Sequence, residues 1–352
     1  MTAAGGRPGG KGPNRRRWLA GGAAAALLAG PAATAAYLRF RPMRGGPDPE
    51  RIAIAAEPFF EPCGGDPGAL RTAFRFRSGL VLSSAAPGFG GLSGLSRDGD
   101  RLLAVTDHGL WLSARLLVEN GRLSGLADAV LAPLLGPDGR PLRDGGSYDS
   151  ESLAVSGGEA FVGIERRHGV WRFDLGRDGT AARGRPVQVP PAVAELPANA
   201  GLEALAVASP GHPLAGALLA VAERSGSGAD TPTAGWVLTG PEQFAFEVRR
   251  IDGFDITDMA FTPAGELLLL ERHFTPLSGA SSRIRRVAPD AIRPGALLDG
   301  DAVLSAGSGC RLDNLEGLAV HSEPGTGATV VTMVSDDNFS PLQRTLLVEF
   351  VV

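Results

Sequence analysis

Carboxylates recur in this chain at two fixed places in a repeated phrase. The phrase reads acidic-x-Leu-Ala-Val, then a short turn, then an apolar run that ends in Asp or Glu. Clear copies begin at Glu151, Glu203 and Glu316, and two looser ones share the frame at Ser93 and Thr257. The apolar runs end in Asp107-His108, Glu165-Arg166-Arg167-His168, Glu223-Arg224, Glu271-Arg272-His273 and Asp336-Asp337-Asn338. Hard oxygen ligands drawn from several segments suit calcium, or magnesium with water. Arginines beside them suit a phosphate or carboxylate, through paired N–H donors. Together these groups suit hydrolysis of a phosphoester, with a divalent cation lowering the pKa of a water. The candidate catalytic set is Glu151, Glu203 and Glu316 with Arg166, Arg224, Arg272 and His273. The candidate metal ligands are Asp107, Glu165, Glu223, Glu271, Asp336 and Asp337, with calcium the expected ion.

The same residue types also pair across neighbouring sheets and cap exposed backbone. Two other functions therefore stay open beside phosphoester hydrolysis. One is a non-catalytic module that binds a ligand or partner. The other is a metal-dependent lactonase or carboxylester hydrolase, which would polarise a carbonyl with the same carboxylates. No Gly-x-Ser-x-Gly elbow is present, and Gly91-Leu92-Ser93-Gly94 lacks its spacing. Neither a phosphate-cradling glycine loop nor an EF-hand loop occurs, although Ser335–Ser340 is rich in oxygen ligands.

The repeat also fixes the elements that must hold these groups. Its first position falls at 93, 151, 203, 257 and 316, a spacing of 52–59 residues filled with short β-type segments. A period of that size predicts a β-propeller, an all-β ring of blades. The repeats count five blades, and the divergent segments leave room for a sixth. In the second repeat the strands are expected at 152–156, 160–164, 169–174 and 186–189. In the fourth they are expected at 259–262, 266–270, 282–287 and 302–305. Strands one and two of a blade are antiparallel neighbours, so the start of one and the end of the other share a face beside the central channel. The repeated charges should therefore converge on one rim. The last repeat lacks its fourth strand, and Arg71–Ser84, alternating at Phe74-Arg75-Phe76-Arg77, is the expected donor. Such pairing closes the ring and removes its open edges.

The chain has 352 residues, with 50 Gly and 27 Pro, which argues for many turns and few long helices. A net charge of −4 gives no general attraction to nucleic acid or anionic membranes. Residues 1–45 read as signal and linker, and 46–352 as one domain. Arg15-Arg16-Arg17-Trp18-Leu19 followed by an Ala/Gly/Leu stretch resembles a twin-arginine export signal, with Ala33-Thr34-Ala35 as a cleavage site. The same stretch could serve as an uncleaved membrane anchor. Either way a periplasmic or secreted location is expected, tethered to the inner membrane in the second case. The only two cysteines are Cys63 and Cys310. In an oxidising compartment they are expected to form one disulfide.

Several phrases resemble the bacterial phytase-like family, known by its "esterase-like activity of phytase". They include Gly90–Leu95 with Val105-Thr106-Asp107, Asp149–Ala154 and Gly201–Ala206. They continue with Asp255–Met259, Leu270-Glu271-Arg272, Asp313–Ala319 and, as the most specific, Ser335–Phe339. The resemblance covers about residues 70–352. It implies an exported β-propeller with a hydrolase's label and a small ester or phosphoester as substrate. Ser93 and Thr257 depart from the acidic consensus, so a fully symmetric ring of ligands is not implied.

Overall fold

The computed structural model describes residues 48–64, 68–146, 149–165, 167–197, 200–226, 228–275, 279–307, 309–312 and 314–352. The signal and anchor readings of residues 1–45 lie outside the described residues, as do Arg166 and Asp313.

The apolar runs explain the architecture. In the stretch Leu267-Leu268-Leu269-Leu270 all four side chains are buried, yet they enter different cores. Leu267 and Leu269 pack toward the preceding blade, while Leu268 and Leu270 pack toward the following one. Successive residues of a strand face opposite sides of its sheet. An unbroken apolar run therefore marks a strand covered on both faces.

Five sheets repeat this arrangement. Blade 1 runs outward from Leu92–Asp98 through Arg101–Thr106 and Leu110–Glu119 to Arg122–Pro133. Blade 2 consists of Ser150–Ser156, Glu159–Ile164, Gly169–Asp174 and Arg185–Val187. Blade 3 consists of Ala204–Val207, Leu218–Val221, Thr233–Val237 and Phe244–Val248, with Leu297–Leu298 added in parallel at its edge. Blade 4 consists of Asp255–Phe261, Leu267–Thr275, Gly279–Val287 and Asp301–Ala306. Blade 5 starts with Leu315–Ser322, Thr329–Ser335 and Thr345–Val351. The inner strands neighbour one another in a closed cycle, the last against the first. Among the described residues the count is thus five.

Five apolar cores lie between the blades, one for each pair of neighbours, and no single core fills the molecule. At the seam between blades 1 and 2, Trp111 meets Phe173 edge to face with ring centroids 5.2 Å apart. That geometry suits the opposed charge of ring face and ring edge.

The expected closure is present. Arg75–Ser83 pairs antiparallel with Thr345–Val351, placing Leu80 opposite Leu347 and Leu82 opposite Thr345. Residues just before it depart from the expectation. Leu70–Thr72 joins the outer strand of blade 4, so the segment 71–84 divides between two blades. Ala55–Phe59 adds a fifth strand to blade 5, and Glu50–Arg51 pairs with the outer strand of blade 1. Cys63 and Cys310 form the expected disulfide, which points to an extracytoplasmic protein. Their Cα atoms are 3.9 Å apart, below the usual range of about 4.4–6.8 Å. The two residues face each other directly as an isolated antiparallel bridge. No helix among the described residues is long and apolar enough to cross a membrane.

Candidate functional site

One backbone hydrogen bond recurs at the end of the second strand in four blades and sets the rim. The amide of Asp107 donates to Gly91 O at 2.9 Å, that of Glu165 to Asp149 O at 2.8 Å, that of Glu223 to Gly201 O at 3.0 Å and that of Asp336 to Asn314 O at 2.9 Å. Each bond ties the carboxylate-bearing residue to a carbonyl two places before the first residue of the inner phrase. It brings the two repeated acidic positions of a blade side by side.

Blade 2 carries the tightest group. Asp149, Glu151 and Glu165 are all buried, and one carboxylate oxygen from each lies within 4.8 Å of the others. Sequence reasoning quoted Asp149 within the phrase Asp149–Ala154 but left it out of the ligand set. Its place in Asp149-Ser150-Glu151 was the available signal. Glu203 of blade 3 continues the group. Its carboxyl is pushed well above the usual glutamate range, first by burial and then by the charges of Glu223, Glu165 and Glu316, with Arg272 opposing. Glu223 is raised as well, by burial above all, while Arg272 and Arg224 pull it back. Close carboxylates repel one another unless a cation or a proton intervenes.

Arg272 crosses from blade 4 to blade 5. It donates to Asn314 Oδ1 at 2.7 Å and to Glu316, and it lies 3.6 Å from Glu223. Asn314 in turn donates to Glu316 Oε1 at 3.0 Å and to Asp336 O at 3.2 Å. Arg224, nearly half exposed at 46%, lies 3.2 Å from Glu223 and 3.1 Å from Asp255. Sequence reasoning quoted Asn314 and Asp255 within family-like phrases but gave them no role, because one is a neutral amide and the other an acid outside the repeat frame.

The remaining acidic residues have other places. Asp107, in blade 1, accepts a hydrogen bond from Ser93 Oγ at 2.7 Å. Asp337 accepts from the amides of Gly91 and Phe339, both at 3.0 Å, and from Thr345 Oγ at 2.9 Å. It thereby latches blade 5 to blade 1, and Phe339 stacks on His108 with centroids 4.2 Å apart. Gly91 has φ +59°, and a Cβ there would lie 2.5 Å from the Phe339 ring, so the latch requires glycine. Asp258 is fully buried and accepts from the amides of Met259 at 2.8 Å and Leu318 at 2.6 Å, which joins blades 4 and 5. Burial raises its carboxyl well above the usual range despite these two bonds.

Glu271 departs most from the expected convergence. It is fully buried between Arg283, at 2.6 Å, and Arg285, at 2.5 Å. The ladder of blade 4 runs further than in blade 2, with Ile256 opposite Glu271 and Asp255 opposite Arg272. Successive strand residues face opposite ways, so Glu271 and Arg272 exchange the roles their order suggests. His273, one residue on, packs against Phe254 with centroids 5.4 Å apart.

The family model described as "Phytase-like: Esterase-like activity of phytase" matches residues 87–339. No curated protein matches the sequence significantly. Several solved structures are similar at low identity. The allergen Mala s 1 of Malassezia sympodialis shares 13% identity over 87% of this chain and 96% of its own, with a TM-score of 0.41. The PQQ-bound aldose sugar dehydrogenase of Streptomyces coelicolor shares 11% over 85% and 99%, with a TM-score of 0.40. The glutaminyl cyclase of Myxococcus xanthus shares 13% over 75% and 92%, with a TM-score of 0.37. Likenesses this distant say nothing about chemistry.

Proposed function

The chain belongs to the phytase-like family, and from that premise we propose that its channel rim is the site of a divalent-cation-dependent ester hydrolase, with a small phosphoester as substrate. The observation that carries this reading is the buried triple Asp149, Glu151 and Glu165. Two oxygens on one calcium ion stand up to about 5 Å apart, since each Ca–O bond is about 2.3–2.6 Å. The 4.8 Å limit of the triple fits that requirement. Hard carboxylates match a hard cation, and the carboxyl of Glu203, raised first by burial and then by the charges of Glu223, Glu165 and Glu316, faces negative charge that a cation would offset.

A bound cation would supply Lewis-acid polarisation of the ester oxygen or of a water. The chain's own residues do the rest. Arg224, the more exposed of the two rim arginines, is the donor that reaches a substrate oxyanion from the channel. Arg272 holds Glu316 and Glu223 in place and neutralises part of their charge. Glu203, buried beside this group, is the carboxyl placed to exchange a proton with a leaving oxygen. Asp107 and Asp336 flank this group in blades 1 and 5, and Arg166 follows Glu165 directly. The protein acts in the periplasm or after secretion, as the disulfide and the leader-like residues suggest.

The competing reading as a binding module draws support from the Arg272–Asn314–Glu316 network, in which hydrogen bonding already engages polar groups of the rim. One set of measurements separates the readings. Metal content and calcium titration calorimetry are combined with turnover of p-nitrophenyl phosphate, p-nitrophenyl acetate and a simple lactone. Hydrolysis of the phosphate ester that is lost with chelator and restored by calcium supports the proposal. Hydrolysis of only the acetate or lactone moves the reading to a carboxylester hydrolase. Calcium binding without turnover leaves a binding module. Replacing Glu203 and Glu316 together by Gln keeps the shape and removes two charges. This variant should weaken metal binding and abolish hydrolysis while the propeller stays folded.

A further inference from the structure

The end of blade 2 away from the rim carries an arrangement that the rim site does not use. Phe161, Arg172 and Arg185 stand in one row across three successive strands, each directly opposite the next. Arg172 and Arg185 are therefore like charges at directly facing positions, an arrangement that destabilises a sheet. Glu159 pairs with Arg172 and offsets one charge. Among the described residues, neither Arg185 nor nearby Arg183 forms an ion pair or a side-chain hydrogen bond.

These side chains line an open cavity of about 1100 Å³ between blades 2 and 3, with Gly216 and Thr239 on the far wall. The apolar seam between the two blades includes Phe161 and Val187 at its edge and gives way here to the cavity. Arg183 is held across the loop of Gly139, its guanidinium carbon 3.2 Å from where a Cβ would sit. Glycine at φ +80° gives it that room. The cavity thus combines Arg185, which has no ion-pair partner among the described residues, and Arg183, whose charge acts on Asp178 without a direct ion pair, with carboxylates able to accept from hydroxyls and an aromatic wall.

We propose that this groove is a second binding site, specific for a polyhydroxylated ligand that bears an oxyanion, such as a sugar phosphate or sugar acid. Arg185 and Arg183 hold the anionic group, since guanidinium forks match planar or tetrahedral oxyanions. Glu159 and Asp174 accept from ligand hydroxyls, and Phe161 covers the C–H face of the ring. The volume leaves room for a sugar ring beside the anionic group, and the hydroxyl and ring contacts add affinity over a lone phosphate. The bound anion removes the repulsion between Arg172 and Arg185, so binding stabilises blade 2.

Titration calorimetry at low salt tests this with glucose 6-phosphate, glucuronate, inorganic phosphate and glucose as probes. Glucose 6-phosphate or glucuronate should bind saturably and raise the melting temperature, and glucose should do neither. The probe that binds identifies phosphate or carboxylate as the recognised anion. The double substitution Arg183→Gln/Arg185→Gln should weaken that binding at least tenfold. Arg185→Gln alone relieves a like-charge contact, so it should fold as well as the wild type and still weaken binding severalfold. Glu203→Gln/Glu316→Gln at the rim should leave it unchanged, which keeps this site distinct from the proposed hydrolase. The proposal fails if no anionic probe saturates, if inorganic phosphate binds as tightly as the sugar phosphate, or if both arginine variants bind like the wild type.

Discussion

Glu165 in blade 2 and Glu271 in blade 4 hold the same place in the repeat, yet they meet opposite surroundings. Glu165 lies just beyond the last pair of its ladder, Ile164 opposite Ser150, and joins Asp149 and Glu151 in a purely acidic group. Glu271 stays in its ladder and is sealed between two arginines. A shift of one residue in pairing sends a strand side chain to the other face. The repeat therefore specifies where a carboxylate occurs, and the local register decides whether it is available for chemistry. Arg272 reaches the rim because Glu271 does not.

The largest effect should come from breaking the sealed member. Glu271→Ala removes the buried carboxylate shared by Arg283 and Arg285, which keep only the more exposed Asp252 and Asp299 as acidic partners, and removing one side of a buried ion pair costs about 3–5 kcal/mol. Chemical denaturation should show a loss of that size, whereas Glu165→Gln should be neutral or slightly stabilising without metal. A similar loss in both variants would erase the distinction between the two surroundings.

Asp258 gives the next largest effect. Asp258→Ala orphans the amides of Met259 and Leu318, at about 1–3 kcal/mol for each buried donor left unsatisfied. Denaturant midpoints should fall accordingly, and an unchanged midpoint would mean that these donors find other acceptors.

A pH dependence sharpens the comparison further. Folding raises the carboxyl of Glu203, so the folded state binds its proton more tightly than the unfolded chain does. The stability this provides is present below the ordinary glutamate pKa of about 4.3 and is lost as pH rises through the folded value. Metal-free wild type should therefore lose stability over that window, and Glu203→Gln should show a flatter profile. Saturating calcium should also flatten the wild-type profile if the ion sits beside Glu165. Equal slopes in wild type and variant, measured by denaturation across pH, would remove Glu203 from this role.

The smallest effect belongs to Arg224. Its pairing is half exposed, and such pairs contribute about 0.2–1 kcal/mol. Arg224→Gln should barely change the melting temperature while lowering turnover of an anionic ester more than that of a neutral one. A loss of turnover equal for both esters would show that Arg224 does not recognise the anion.

The sequence made the ring legible and its asymmetry much less so. The spacing of Glu151, Glu203 and Glu316 and the apolar runs between them gave five blades, because alternation and turn residues act locally. The missing fourth strand of the last repeat pointed to Arg71–Ser84, of which Arg75–Ser83 forms the closing strand. The two- to five-residue strands at Glu50–Arg51, Ala55–Phe59 and Leu70–Thr72 were not legible, since segments so short carry no period. At the rim, the grouping of Glu151, Glu165 and Glu203 followed from strand direction alone. The burial of Glu271 did not, because the pairing of blade 4, which carries Glu271 into the ladder opposite Ile256, is a tertiary feature. Thr257 and Asp258, where the other clear repeats have an acid and a small residue, were the visible sign that this blade differs.

Blade 5 draws its strands from both ends of the propeller, with Arg75–Ser83 lying between Ala55–Phe59 and Thr345–Val351. Nearly the whole ring separates these partners along the chain, so their pairing carries a large loop-closure entropy and should come late in folding. Until then Leu80 and Leu82 lack the seam that buries them, and one face of the first blade stays open. Thr345–Val351 is synthesised after every other described strand, so the ring is the last feature of the fold to close. The waiting edge is the point at which a chaperone would bind or a second nascent chain would cross-pair.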